Sequence, residues 1–184
     1  MIYKAEEVTD KRGDKYILRS LSAGDAAALI TFVDTASAES PFFPWSPGDT
    51  ALNAGNAEEY ILEFEKDGRR LLIGAFRDGD LQGLTEMSNY GTWEKALHRC
   101  TIGTGVLGAA RGRGIGRKLT VVLFPVAKDA GYEQMEASVA VSNEASYRNL
   151  LGVGFQEYGV IPHKMKYPDG TYSDERRMVK WLMP

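Results

Sequence analysis

Val106-Leu107-Gly108-Ala109-Ala110-Arg111-Gly112-Arg113-Gly114-Ile115-Gly116-Arg117-Lys118 is the stretch on which the fold turns. An apolar strand pattern, Ala96 to Val106, feeds a glycine-rich turn. The turn feeds a helical pattern from about Gly114 to Ala130, with Ile115, Leu119, Val122, Leu123, Val126 and Ala130 on its apolar face. The first turn of a helix has N–H groups without partners, and the helix dipole favours negative charge there. Glycines at 112, 114 and 116 let the backbone approach a ligand without side-chain clash. Arg111, Arg113, Arg117 and Lys118 place four of the 22 basic residues within eight positions of a chain whose net charge is −3. Such a turn suits a phosphate or pyrophosphate. A tight left-handed turn with solvated basic residues is the simpler alternative; three glycines, four cations and a helix start together favour the anion site.

The nature of the phosphate ligand follows from spacing. Gly103-Thr104-Gly105-Val106-Leu107-Gly108 matches G-x-G-x-x-G, but a dinucleotide site needs its helix to open at those glycines and a parallel βαβ start. Here the helix opens downstream, and an antiparallel half precedes the match. Gly112 to Lys118 does not supply a Walker A loop. A nucleotide-binding protein therefore ranks second.

Upstream of the turn, Ile2 to Val8 and Lys15 to Leu21 flank Lys11-Arg12-Gly13-Asp14 as a hairpin. Ser22-Ala23-Gly24-Asp25 reads as a variant capping box before a helix with Ala26, Leu29, Ile30 and Val33 on one stripe. Glu39 to Gly48 holds three prolines with Phe42, Phe43 and Trp45, so it is an aromatic loop, either folded onto the core or forming a wall of a substrate pocket. Asn56 to Asp67 reads as a capped helix, with Gly68 as its stop. Leu71 to Arg77 and Leu81 to Tyr90 are strands joined by Asp78-Gly79, and Trp93-Glu94-Lys95 lies in a connection. Downstream, Gln134 to Val141 is a strand, Asn143 to Leu151 a helix, and Phe155 to Tyr158 begins a strand. Pro168-Asp169-Gly170 is a turn, and Tyr172 to Leu182 a last strand. Pro125 breaks the helical pattern and predicts a kink or a boundary. An antiparallel half followed by β-α-β-α-β predicts a mixed α/β sheet.

Whole-chain properties narrow the classes. The 184 residues suit one domain, and 43% hydrophobic content supports a core. Net negative charge gives no footprint for a nucleic-acid backbone. Cys100 is the only cysteine, so an intrachain disulfide and a thiolate zinc cluster are excluded; His98 and His163 are too few for a His-rich metal site. Met1 to Glu7 has no signal-peptide core, and no apolar run approaches a membrane span, so the expected compartment is the cytoplasm.

At this point the residues resemble a family. Arg111-x-x-Gly114-x-Gly116 is similar to the R/Q-x-x-G-x-G/A motif of GNAT N-acetyltransferases. Asn143, Ser146 and Gly154-Phe155 resemble its following N-x-x-A/S…G-F stretch, and Asp169-Gly170-Thr171-Tyr172-Ser173-Asp174-Glu175…Met178 resembles the ending of many small-molecule members. The resemblance implies the acyl-CoA N-acyltransferase fold: an α/β (α+β) domain with a mixed, mostly antiparallel sheet, a splayed parallel strand pair (Ala96–Val106 and Gln134–Val141), and flanking helices. It implies one domain over 1–184, with 1–95 as the acceptor-side half and 96–184 as the acyl-CoA-binding core. It further implies acetyl-CoA as cosubstrate without a metal, a small-molecule or peptide amine as acceptor, direct attack in a ternary complex, and a homodimer as a state common among relatives.

Position by position, the resemblance implies that Thr104 and Val106 bond the pantetheine through their backbones. The amides of Arg111, Gly112, Arg113, Gly114, Ile115 and Gly116 hold the pyrophosphate, with Arg117 and Lys118 nearby, and Asn143 contacts the cofactor. A Val106 N–H would serve as donor to the thioester oxygen. Two departures stand out. Thr101 occupies the place of the family's usual glutamate base, and Leu150 that of its usual tyrosine acid. Glu86, on the neighbouring strand, is the candidate base, against a surface or salt-bridged glutamate. Tyr147, one helical turn before Leu150, is the candidate acid, against simple packing. His98 reads more readily as structural, and Cys100 as a small buried residue than as a nucleophile. A CoA-binding protein of the same fold without catalysis is the alternative the departures raise. Pro162-His163-Lys164 either shapes the acceptor pocket or is an ordinary surface connection.

Overall fold

The computed structural model describes residues 1–45 and 52–182. The last part of the aromatic loop, Ser46-Pro47-Gly48, lies outside the described residues. The strands are β1 (Glu6–Thr9), β2 (Lys15–Ser20), β3 (Leu71–Arg77), β4 (Asp80–Asn89), β5 (Arg99–Val106), β6 (Gln134–Ala140), β7 (Gln156–Lys166) and β8 (Tyr172–Trp181). The helices are α1 (Ala26–Glu39), α2 (Ala57–Lys66), α3 (Ile115–Val121), α4 (Leu123–Asp129) and α5 (Glu144–Gly152). The strands form a mixed sheet in the order β1-β2-β3-β4-β5-β6-β8-β7, with β5 and β6 as a parallel pair. The chain divides into two compact units, residues 1–88 with 104–123, and residues 89–103 with 124–184.

In the first unit, β1 to β4 pair antiparallel in sequence order. The Asp78-Gly79 turn has φ of 53° and 93°, the paired left-handed geometry that closes a two-residue hairpin with the strands' natural twist. β3 is buried on both faces over Leu71 to Phe76. α1 buries Leu29, Phe32, Val33 and Ala36, spaced at helical intervals, against Ile61 and Phe64 of α2 and Leu72 and Phe76 of β3. Asp25 reaches back to cap this entry: its carboxylate accepts the Ser22 N–H at 2.8 Å and a two-pronged bond from Arg19 at 2.7 and 2.8 Å. The opening strand is shorter than the expected Ile2 to Val8. The N-terminal ammonium reaches the carbonyls of Phe64 and Arg70, both at 3.0 Å, and Tyr3 still meets Ser20 of β2 through its N–H on the Ser20 hydroxyl at 2.9 Å, outside the regular ladder.

In the second unit, β5 pairs parallel with β6 from Arg99↔Gln134 to Ile102↔Ala137, and the ladder stops there although both strands run on. β6 then pairs antiparallel with β8, and β8 with β7. Glu136 is fully buried on β6. Its carboxylate accepts from Arg99, Gln134, Tyr158 and Arg177, which is what makes an ion in this interior tolerable.

Three expected boundaries are corrected. The strand expected from Ala96 begins at Arg99, because Glu94–Ala96 closes a 3₁₀ turn with Leu97 N–H on the Glu94 carbonyl. The single helix expected to Ala130 is two, broken at Val122. Pro125 has no N–H for the Val121 carbonyl, and that missing bond falls at the break. The strand after Phe155 continues through Pro162-His163-Lys164 to Lys166, so these residues are an exposed edge strand rather than a connection. The strand is bulged between Ile161 and Met165, and His163 has a φ of 53°.

The Arg19 guanidinium holds the Asp25 carboxyl down to about 2, below its ordinary value near 3.9. A depressed folded-state pKa stabilises the fold above the unfolded pKa and loses that stabilisation as pH falls toward 2. Urea titrations of Asp25→Asn should therefore show a loss of about 1–2 kcal/mol at pH 7 that shrinks toward zero near pH 2.

Candidate functional site

The turn between β5 and α3 is built on backbone constraints. The Leu107 N–H donates to the Gln82 carbonyl at 3.0 Å, tying the end of β5 to β4. Successive N–H groups of a strand point to opposite sides, so those of Val106 and Thr104 point away from β4. Their side chains also mark their positions: the Thr104 hydroxyl shares a hydrogen with Thr85 at 2.8 Å, and the Val106 Cγ2 lies 3.4 Å from where a Cβ on Gly116 would stand. Gly112 and Gly114 have φ of 72° and 89°, and a Cβ on Gly112 would meet nothing within 4 Å. The chain thus runs through two left-handed residues, of which Gly112 is open, while a Cβ on Gly114 would stand 3.4 Å from the Lys11 side chain; bare backbone with a lysine beside it suits an anion.

The four cations of the turn divide into three kinds. Arg113 is a structural clamp. Its Nη1 donates to the fully buried Asp10 carboxylate at 2.9 Å and to Asp14, and its carbonyl accepts the Lys11 N–H at 3.0 Å. The Asp14 carboxylate first, with Tyr16 and Asp10, raises the Arg113 pKa further above the physiological range. Burial pushes Asp10 up, but the Arg12 and Asp14 N–H groups and Arg113 outweigh it and hold the carboxyl below its usual range. Any contact of Arg113 with a phosphate therefore falls to its amide. Arg111 is half committed: its Nε donates to the Val106 carbonyl at 3.0 Å and its Nη2 meets Glu39 at 3.3 Å. Among the described residues, neither Arg117 nor Lys118 makes an ion pair. Both line an open cleft of about 480 Å³ with Lys11, Gly114 and Val121. Ile115 is fully buried and anchors the start of α3, and the Gly116 carbonyl accepts the Thr120 hydroxyl at 2.9 Å.

Sequence reasoning missed Glu39, at the end of α1. Its Oε2 accepts the Gly108 N–H at 2.6 Å as well as Arg111, and a Cβ on Gly108 would stand 3.1 Å from that carboxylate. The signal was the glycine itself, which precedes the recognisable motif. Tyr60 was read only as a helix-face residue; its hydroxyl donates to the Glu86 carboxylate at 2.8 Å. Burial first, then the Glu86 charge, raises the Tyr60 pKa, so the phenol stays a donor. Glu86 itself is half-buried on β4 and enters no ion pair among the described residues.

In the other unit, Asn143 caps α5, its Oδ1 accepting the Ser146 N–H at 3.1 Å. The Tyr147 ring lies under the Arg176 guanidinium at 4.1 Å, and bonding to Glu157 is the main cause of its raised pKa. Thr101 stands on β5 opposite Glu136, and Leu150 is buried in α5. Cys100 is fully buried, its Sγ 3.6 Å from the Gln134 carbonyl, which suits packing rather than nucleophilic attack. The Pro162-His163-Lys164 stretch is exposed on the edge strand, with His163 stacked on Tyr172 at 4.8 Å. Among the described residues no group of three or more His, Cys, Asp or Glu side chains is placed to hold a metal ion, and no helix is long and apolar enough to cross a membrane.

A family model described as an acetyltransferase (GNAT) domain matches residues 15–156. No curated protein matches the chain significantly. Among solved structures, a GNAT-family acetyltransferase from Streptococcus pneumoniae is similar with a TM-score of 0.85 at 18% identity, covering 90% of this chain and 99% of that one. A ribosomal-protein-alanine N-acetyltransferase from Brucella melitensis is similar with a TM-score of 0.80 at 24% identity, over 89% and 98%. The yncA protein of Salmonella typhimurium, solved with its cofactor acetyl-CoA, is similar with a TM-score of 0.81 at 20% identity, over 92% and 95%.

Two of these kinds of cation separate by experiment. Lys118→Ala should weaken acetyl-CoA binding about tenfold, the loss of roughly one charge-assisted bond, and leave the melting temperature unchanged. Arg113→Ala should lower the melting temperature clearly, because it strands the buried Asp10 carboxylate. Calorimetric titration and thermal denaturation of both variants read the two effects.

Proposed function

Since the chain belongs to the GNAT acetyltransferase family, an N-acetyltransferase family that uses acetyl-CoA, we propose that it transfers the acetyl group to a primary amine of a small molecule by direct attack in a ternary complex. The observation that carries this is the turn at Gly112 and Gly114, two glycines with positive φ angles, the first open and the second flanked by Lys11, beside Arg117 and Lys118. The amides from Arg111 to Gly116 are assigned to the pyrophosphate. The Thr104 and Val106 backbones, pointing away from β4, are assigned to the pantetheine, and Asn143 to a further contact. Acetyl-CoA supplies an activated thioester, so the protein's work is mostly positioning and charge stabilisation.

Glu86 takes a proton from the incoming ammonium, which frees the nitrogen lone pair. Tyr60 holds the Glu86 carboxylate in place for that transfer. The new bond joins the amine nitrogen to the acetyl carbon, and the bond that breaks joins that carbon to sulfur. The Val106 N–H stabilises the charge that develops on the thioester oxygen. Tyr147 gives its proton to the departing sulfur, and the second proton, shed by the nitrogen as the amide forms, passes to solvent and restores the phenol; its raised pKa keeps Tyr147 protonated at neutral pH and so available as a donor. Thr101 and Leu150 at the family's usual acid–base positions are the reason these roles fall to other residues. The reaction takes place in the cytoplasm.

Glu86→Gln should lower kcat by about 10²–10⁴ with the KM for acetyl-CoA unchanged. Tyr60→Phe should lower kcat roughly fivefold to tenfold, the worth of one positioning hydrogen bond. Thiol release in steady state measures both. Unchanged turnover in Glu86→Gln would remove Glu86 as base. Acetyl-CoA binding without thiol release to any amine would favour a binding protein of this fold.

A further inference from the structure

The acceptor's chemical class is written around Glu86. Alternate residues of β4 face opposite ways, and Leu84 and Glu86 share one face. Leu84 on that face packs against the core formed with α1 and α2, and Glu86 meets Tyr60 of α2. Phe43 lies on the same side. Its ring edge is 3.2 Å from where a Cβ on Gly105 would stand, with Phe32 at 3.5 Å, so both rings rest on bare β5 backbone. Phe43 also meets Phe32 edge-on at 6.3 Å and Trp45 at 5.5 Å. Gly105 sits between Thr104 and Val106, the residues assigned to the pantetheine, so these rings stand beside the reacting end of the site.

Among the described residues, three arginines on this side are engaged by carboxylates. Arg111 meets Glu39. Arg70 meets Glu63 at 3.5 Å and lies over the Phe64 ring at 4.0 Å. Arg19 is held by Asp25. Glu86 is a half-buried carboxylate that, among the described residues, enters no ion pair and accepts from the neutral Tyr60 phenol. A carboxylate in that position favours a cation, and the aromatic rings beside it favour an apolar body or a cation over a ring face. A second carboxylate on the ligand would meet the Glu86 charge, and Arg19, Arg70 and Arg111 are already engaged by Asp25, Glu63 and Glu39.

We propose that the acceptor is an alkylammonium carried on an apolar, ring-bearing body, without an α-carboxylate. Glu86 binds the ammonium and Phe43 with Trp45 packs the body. This rests on the acetyl-transfer reading and names its substrate class.

The test compares acceptors of one skeleton: phenethylamine and tryptamine against phenylalanine and tryptophan, with spermidine and an alanine-initiated peptide as further arms. Thiol release gives kcat/KM for each, and thermal shift with acetyl-CoA is recorded in parallel. The aryl-alkyl amines should exceed their amino-acid counterparts, and both further arms, at least tenfold. Phe43→Leu should raise the KM for phenethylamine about tenfold while the KM for acetyl-CoA stays; a variant that fails to fold is replaced by Trp45→Leu, for which the same shift is expected. Equal or better turnover of phenylalanine, spermidine or the peptide overturns the proposal. So does an unshifted amine KM in a folded variant. Stabilisation by acetyl-CoA with no panel amine acetylated also overturns it, while the cofactor assignment stands. Absence of any stabilisation by acetyl-CoA would instead strike the acetyl-transfer reading itself.

Discussion

The path of the backbone from β5 to α3 is the constraint on which the site depends. It must leave a strand, pass through two residues with positive φ, and enter a helix. Left-handed geometry costs an ordinary residue about 1–2 kcal/mol, so glycine at 112 and 114 is what makes this path available. Glycine alone would leave the turn loose. The clamp of Arg113 onto Asp10 and Asp14 fastens it to the β1–β2 hairpin, and Glu39 fastens its upstream end through Gly108 and Arg111.

This arrangement divides the basic residues by role. Four cations adjacent in sequence are physically unlike. Arg113 is buried against carboxylates and sets the shape, Arg111 is paired with Glu39, and Arg117 and Lys118 form no ion pair among the described residues. The same logic applies to the acids. Asp10, Asp25 and Glu136 are each surrounded by donors and serve the fold, whereas Glu86, among the described residues, meets the neutral Tyr60 hydroxyl and no cation, the surroundings the proposed base requires. Surroundings, rather than residue type, separate the charges that hold the fold from those assigned to the proposed site.

Much of the fold was legible from local pattern. Asp78-Gly79 named its hairpin, alternation and apolar runs placed β3 and β6 to within a residue, and the Arg111-to-Gly116 spacing carried the family. What the pattern hid was tertiary. Nothing local distinguishes Arg113 from Arg117, because Asp10 is about a hundred positions away. The role of Glu39 depends on its meeting Gly108 across the fold. Tyr60 was visible as an apolar-face residue, but its hydroxyl partner lies on another element. The broken helix shows the limit of periodicity: the apolar stripe runs on past Val122, while Pro125 removes the hydrogen bond that would have kept the helix continuous.

The most direct test of the account is an ¹⁵N-resolved NMR titration of the protein with CoA, following the backbone amides one by one. The account predicts saturable shifts concentrated at Gly112, Gly114, Gly116 and Val106, with the amides of the Asp78-Gly79 hairpin unmoved. Saturation by CoA that leaves the 112–116 amides in place would contradict it.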